Sequence, residues 1–337
     1  MQKNTLLSSL LALSFAACGG GSGGASGGTL PVAPVPSATP TATPVSPASV
    51  TLQSVAPSTT QAGIDPSYDA RHYFSAPVVT SKNKLFVFLA GTGGVPSLYQ
   101  DILREGAVRG YHVIGLTYVD GTEVNAYCAT ASDPACWGNV RSEIIYGNGA
   151  SNLLTVSPAN SIQGRLSALL NYLSTAYPAD NWSQFVSGGA PAWPKIVFGG
   201  HSQGAGHAAY LAKGQNLAGV CAFDSPDDGN LSAGPASWLS QPNVTSTNAL
   251  YGFTNQDDGT ALFAGVTRDW SLIGIPGSPS DVDGAQPPYG ESHQLYTVVP
   301  STVTSDTHGY TIIDYATPMQ NGVPVYTPVW DTICFSA

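Results

Sequence analysis

In "KIVFGGHSQGAGHAAYLAKG" (195–214) a single serine, Ser202, stands between an apolar, strand-length run and a run of small residues at helical spacing. Gly200 and Gly204 lie two positions to either side. In a strand-to-helix turn that tight the flanking positions nearly touch, and a Cβ at either would clash. The serine is forced into a strained backbone conformation, with its hydroxyl off the end of the sheet. Strain costs stability and a plain turn has no need of it, so a nucleophile is the better reading. The following helix start offers N–H groups and partial positive charge, which suit an oxyanion. A serine hydroxyl also needs a base to take its proton. Six histidines are available. His72 lies near the domain start, His112 sits inside a strand and reads as core, and His207 packs from the helix after Ser202. His201 adjoins the nucleophile on a turn whose neighbours point different ways, and His293 begins its strand at the wrong end. His308 lies in the loop "TSDTHGYTIID" beyond the last strand.

"GHSQG" matches the G-x-S-x-G nucleophile elbow of the α/β-hydrolase superfamily, and "SQG" resembles the elbow of cutinases and some lipases. The resemblance implies an α/β fold with a doubly wound, mostly parallel sheet and helices on both faces. It also implies catalytic partners in the order serine, acid, histidine. His308 then stands where the family places its base. The acid belongs just past the strand "ALYGFT", where "NQDDG" offers Asp257, which fits the family's spacing, with Asp258 beside it. Asp224 in "AFDSP" is a further alternative, since some relatives take the acid there. The oxyanion donors implied are the N–H of Gln203, after the nucleophile, and that of Thr92 in "LAGTGG". There Ala90-Gly91 replace the family's His-Gly pair. Such an enzyme transfers an acyl group without a cofactor, and an ester, small or polymeric, is the default substrate. The alternative is a surface binding protein that kept the fold and lost the activity.

The elements needed to hold these residues are visible as periodicities. "KLFVFLAGTGG" (84–94) is a strand ending in glycines. "SLYQDILREGAVRG" is helical, with Leu98, Ile102 and Leu103 on one side, and "YHVIGLTYV" (111–119) is the next strand. A helix is expected through "SPANSIQGRLSALLNYLSTAYP", capped by Ser157 before Pro158. "KIVFGG", "LAGVCAFDSP", "NALYGFTN" and "SHQLYTVVP" complete six strands, and strands alternating with helices imply a sheet buried on both faces. Residues 120–157 read as irregular. With Tyr127 and Trp137, and with the 225–245 and 267–290 loops, they are expected to shape the pocket. Exposed tryptophans there would suit rings, sugars or polymer chains.

The 337 residues carry a net charge of −10 with only 11 lysines and arginines, which excludes the basic face that nucleic acid requires. Lys3 followed by "LLSSLLALSFAA" reads as a signal peptide (1–17) too short to span a bilayer. Ala16-Ala17-Cys18 resembles the lipobox of bacterial lipoproteins, with Phe15 where that motif usually has leucine. Ordinary signal cleavage nearby is the other reading. A lipidated Cys18 would tether the protein to a membrane, the outer membrane or another part of the cell envelope, through a Gly/Ser/Pro/Thr-rich spacer (18–60). The catalytic domain is expected over 65–337 and to act as a monomer. Four cysteines remain, an even number in an exported chain, so two disulfides are expected. Cys128 and Cys136 bracket one short loop and pair, which leaves Cys221 with Cys334. No C-x-x-C or ligand-spaced histidine pair suggests a metal.

Overall fold

A computed structural model describes residues 45–300 and 307–336. The signal segment, Cys18 and most of the spacer lie outside the described residues. The spacer ends earlier than its composition suggests. Strand β1 (Gln53–Val55) pairs antiparallel with β2 (His72–Ser75), and Val50, Val55 and Pro57 are buried. An edge strand needs only one or two apolar residues to join a sheet, so a Pro/Ser/Thr-rich tract can end inside one without a change in overall composition.

The main sheet continues with β3 (Leu85–Leu89), β4 (His112–Leu116), β5 (Ile196–His201), β6 (Gly219–Phe223), β7 (Leu250–Asn255), β8 (Ser280–Asp281) and β9 (Gln294–Thr297). Its nine strands lie in the order β1-β2-β4-β3-β5-β6-β7-β9-β8. Every pairing from β4 to β8 is parallel, and only β1 and β2 run against their neighbours. All six strands expected from the sequence are present.

Among the described residues six helices have eight residues or more: α1 (Gln100–Val108), α2 (Cys136–Tyr146), α3 (Ile162–Ala176), α4 (Gln203–Gly214), α5 (Phe263–Ile273) and α6 (Thr327–Cys334). Strand β3 shows how they cover the sheet. Its Leu85, Val87 and Leu89 belong to a core shared with α2, α3, α4 and α5, while Phe86 and Phe88 belong to a second core shared with α1 and α6. Successive residues of a strand face opposite sides, so the sheet is buried on both faces, as its near-continuous apolar strands imply. None of the described helices is long and apolar enough to cross a membrane.

Two helices replace expected loops. α2 falls inside the supposedly irregular 120–157 stretch, and α5 overlaps the 267–290 loop. In α2 the sequence CWGNVRSEIIY hides its period because two charged residues face inward. Arg141 pairs with Asp228, and the Glu143 carboxylate accepts the N–H groups of Ala150 and Val156, each at 2.9 Å.

Both expected disulfides form. Cys128–Cys136 closes the loop before α2, and Cys221–Cys334 joins β6 to α6. All the sulfurs except that of the half-buried Cys136 belong to buried residues. The Cys221→Ser/Cys334→Ser double variant should lose about 2–5 kcal/mol of stability. Denaturant melts under non-reducing conditions would show it, and an unchanged midpoint would refute it.

Candidate active site

Strand β5 ends at His201, and the chain turns at Ser202 with φ 53° and ψ −122° before α4 begins at Gln203. Positive φ is unfavourable for a serine, by about 1–3 kcal/mol. The turn closes so tightly that a Cβ on Gly200 would fall 2.4 Å from the Gly204 carbonyl carbon. A Cβ on Gly204 would fall 2.3 Å from the Leu89 carbonyl oxygen, so the first turn of α4 rests directly on the end of β3. The Ser202 N–H is pinned to the Phe223 carbonyl at the end of β6 (2.9 Å).

The hydroxyl so displayed meets an imidazole. Ser202 Oγ lies 2.7 Å from His308 Nε2, and His308 Nδ1 lies 2.7 Å from Asp258 Oδ2. A carboxylate can only accept, so Nδ1–H donates to Asp258 and Nε2 accepts from the serine hydroxyl. His308 is 9 % exposed and Asp258 4 %, so the line is largely shielded from water except at Ser202.

Of the candidate carboxylates, the structure brings Asp258 to His308 in place of the favoured Asp257. Beyond β7 the Asn255 side chain accepts the Asp257 N–H (2.8 Å) and the Asn255 carbonyl accepts the Asp258 N–H (3.2 Å). This turn leaves the Asp257 side chain exposed and sends Asp258 inward. Asp258 Oδ1 then accepts from the N–H groups of Thr260 (2.7 Å) and Ala261 (3.0 Å), which aims Oδ2 at the imidazole. Asp257 contributes only its carbonyl, which accepts from the Thr307 hydroxyl (2.7 Å). The Gly-Thr after Asp258 is the one sequence signal for such an Asx turn.

Asp224 also lies close by, fully buried at φ 53°, but it does not bond to His308 in the manner of Asp258. Its carboxyl accepts from the Asn255 N–H (3.2 Å) and from the Thr311 hydroxyl. Burial, then the nearby Asp258 carboxylate, pushes Asp224 up to about 7.

The proposed oxyanion donors border the same cleft as Ser202 and His308. Gln203 opens α4, and the first N–H groups of a helix have no intrahelical acceptor. The loop carrying Thr92 is gripped at three successive residues. The Tyr118 hydroxyl donates to the Ala90 carbonyl (2.7 Å), and the Gly91 N–H donates to the Tyr99 hydroxyl (3.2 Å). The Thr92 hydroxyl donates to Gln203 Oε1 (2.9 Å), so the residues carrying the two N–H groups are tied to each other. Tyr99 and Tyr118 escape a sequence reading, where they look like ordinary core residues.

A buried ion pair sits under the cleft. Arg141 makes two bonds to the Asp228 carboxylate, at 2.7 and 2.6 Å, and a third to the Gln203 carbonyl at 3.2 Å. Asp228 also accepts from Trp238 Nε1 (2.8 Å). A Cβ on Gly206 would collide with the Arg141 guanidinium at 2.2 Å, so that glycine lets the cation cross the elbow helix. Contrary to expectation, the tryptophans do not line the cleft. Trp137, Trp182, Trp238, Trp270 and Trp330 are all buried in the core. Among the described residues no cluster of three or more histidines, cysteines or acids could hold a metal ion.

No protein-family model matches the chain, and neither does any curated protein sequence. Among solved structures, Thermogutta terrifontis esterase 2 phosphoramylated by tabun matches with a TM-score of 0.45 and 11 % identity, over 82 % of this chain and 90 % of that one. The esterase domain of a Rhodothermus marinus protein matches with a TM-score of 0.38 and 12 % identity, over 85 % of this chain and 100 % of that one. An alpha-beta serine hydrolase homologue from Coxiella burnetii matches with a TM-score of 0.34 and 14 % identity, over 62 % and 79 %.

Two expectations follow from this geometry. Asp258→Asn should lower kcat for a hydrolysable ester by about 10³–10⁴-fold, while Asp257→Asn stays within about threefold, since only its main chain is used. Equal losses in steady-state assays would return the acid to Asp257. The second concerns Asp224. Folded, it keeps its proton up to about pH 7, whereas unfolded it loses it near 4. Between those values the folded state holds the extra proton, so this group's contribution to stability falls as pH rises. In calorimetric melts from pH 4 to 8, the melting temperature of Asp224→Asn relative to the parent should climb with pH and level off above about 7. A flat difference would overturn the assignment.

Proposed function

We propose that this chain is an exported serine hydrolase that cleaves carboxylic esters through an acyl-enzyme. The observation that carries this reading is the unbroken hydrogen-bonded line from Ser202 through His308 to Asp258, standing beside two residues suited to receive an oxyanion. In the first half-reaction Ser202 Oγ attacks the ester carbonyl carbon and its proton passes to His308 Nε2. Asp258 keeps the ring in the tautomer that accepts this proton and stabilises the imidazolium. The carbonyl oxygen, now negative, takes hydrogen bonds from the N–H groups of Gln203 and Thr92. His308 returns the proton to the leaving alkoxide, and the acyl group stays on Ser202. Water then repeats the sequence and releases the acid. A complete line of three partners argues against the alternative of an inactive binding protein, for which the loss of any one would suffice.

The cleft is small, about 70 Å³, and is lined by polar groups, among them Thr92, Glu123, Asn125, Ser225, Asp227 and Thr260. Among the described residues Val124 and Ala261 are its only aliphatic lining. A long acyl chain would find little apolar surface to cover, and an anionic substrate would meet the Glu123 and Asp227 carboxylates. Short acyl groups on neutral or cationic polar alcohols fit best.

With p-nitrophenyl esters of the purified domain's choice ranging from acetate to palmitate, kcat/KM should fall by at least about tenfold between butyrate and palmitate. One unfilled or unmatched methylene is worth about tenfold or more in a fitted pocket. A preference for palmitate would reject the short-acyl assignment. Ser202→Ala should remove about 10⁴–10⁶ of the rate and abolish labelling by a fluorophosphonate, and activity unchanged by that substitution would end the mechanism. For export, we propose that Cys18 is lipidated and holds the enzyme at a membrane. Fractionation of cells carrying Cys18→Ser should move it to the soluble fraction, and no change would discard the anchor.

A further inference from the structure

The residue before the nucleophile, left open by the elbow motif, is His201. Its ring is 4 % exposed and lies between the two parts of the site that must be kept in register. On one side Nδ1 lies 2.9 Å from the Tyr99 hydroxyl, whose oxygen receives the Gly91 N–H of the oxyanion loop. On the other side Nε2 lies 2.8 Å from the backbone carbonyl of His308. A carbonyl can only accept, so Nε2 carries the ring proton. Nδ1 is then an acceptor, and Tyr99 must donate to it while accepting from Gly91. The polarity of the whole chain of bonds is thereby determined: Gly91 N–H to Tyr99, Tyr99 O–H to His201, His201 Nε2–H to His308.

The surroundings are shaped to admit this ring. A Cβ on Gly91 would fall 2.8 Å from His201 Nδ1, so that glycine is what lets the imidazole pass beneath the oxyanion loop. The rings of His201 and His308 pack with centroids 4.7 Å apart. Asp224 Oδ2 is 3.9 Å from Nε2, too far to compete with the His308 carbonyl for its proton.

We propose that His201 is a positioning residue of the hydrolase: with Tyr99 it ties the loop that receives the oxyanion to the backbone of the general base, and so sets the distance between them. The proposal rests on the ester-hydrolase reading and deepens it, since His201 and Tyr99 act through the groups they hold in place. Burial, then the neighbouring His308, pushes His201 down to about 3, so the tie keeps one protonation state through the range in which such an enzyme works. Misplacement of a reacting group by about 1 Å can cost about 100-fold in rate, which sets the scale of the effect.

The test compares Tyr99→Phe, His201→Phe, His201→Gln and the Tyr99→Phe/His201→Phe double variant in the full chain. Two readouts are used: p-nitrophenyl acetate kinetics, and hydrogen exchange of the peptide spanning 307–313 followed by mass spectrometry. Tyr99→Phe and His201→Phe should lower kcat about 10- to 100-fold with KM within about twofold, and should speed exchange at 307–313. His201→Gln, which can still donate to the His308 carbonyl, should recover most of kcat. The double variant should be no slower than His201→Phe, because a tie already cut cannot be cut again. Multiplicative losses in the double variant, or a Gln variant as poor as Phe, would overturn the proposal. If His201→Phe fails to fold, Tyr99→Phe, which removes one oxygen, carries the same test. Should the parent hydrolyse no ester, the hydrolase reading fails on its own, and exchange still decides the tie: unchanged exchange at 307–313 refutes it.

Discussion

The approach of Gly200 to Gly204 is the constraint from which the site follows. Two backbones meet at a distance that leaves no room for a Cβ, and only then can Ser202 be held at positive φ at the tip of β5. The contact brings the N-terminus of α4 against the end of β3, and with it Gln203 beside the loop of Thr92. A larger residue at either glycine would push the helix away from the sheet. The display of the Ser202 hydroxyl, the Thr92 bond to Gln203 and the Arg141 bond to Gln203 would all be lost together, since each depends on the same few ångströms of helix position.

Around that turn the site separates two buried carboxylates by what they bond to. Asp258 receives two backbone N–H groups on one oxygen and the imidazole on the other. Asp224, at the end of the neighbouring strand, receives one backbone N–H and a hydroxyl. Like charges so near each other resist ionising together, and burial together with the neighbouring Asp258 carboxylate raises Asp224. One carboxylate thus holds the His308 imidazole while the other braces the loop that carries His308, through Thr311.

What could be read in the sequence was whatever depends on local pattern. The elbow, the six apolar strands, the alternation with helices and the pairing of Cys128 with Cys136 all rest on short spacings or on simple periodicities. The family's spacing points one residue short of Asp258, because Asp257 and Asp258 are chemically identical and differ only in which way a turn sends them. Helix α2 was hidden because Arg141 and Glu143 point inward, where charges find partners more than ten residues away or beyond a loop. Tyr99, Tyr118 and His201 gave no signal either, since their roles are made entirely by contacts across the fold: Tyr118 with Ala90, Tyr99 with Gly91 and His201, and His201 with His308. The edge strand β1 leaves no compositional mark, because composition averages over the boundary where a spacer becomes structure.

The Arg141–Asp228 pair has a consequence for the medium the fold can tolerate. Both side chains are almost wholly excluded from solvent. Mobile ions weaken attractions between exposed charges over roughly 8–10 Å at moderate ionic strength but reach enclosed ones far less. The ion pair behind Ser202 is therefore insulated from brine as well as from fresh water.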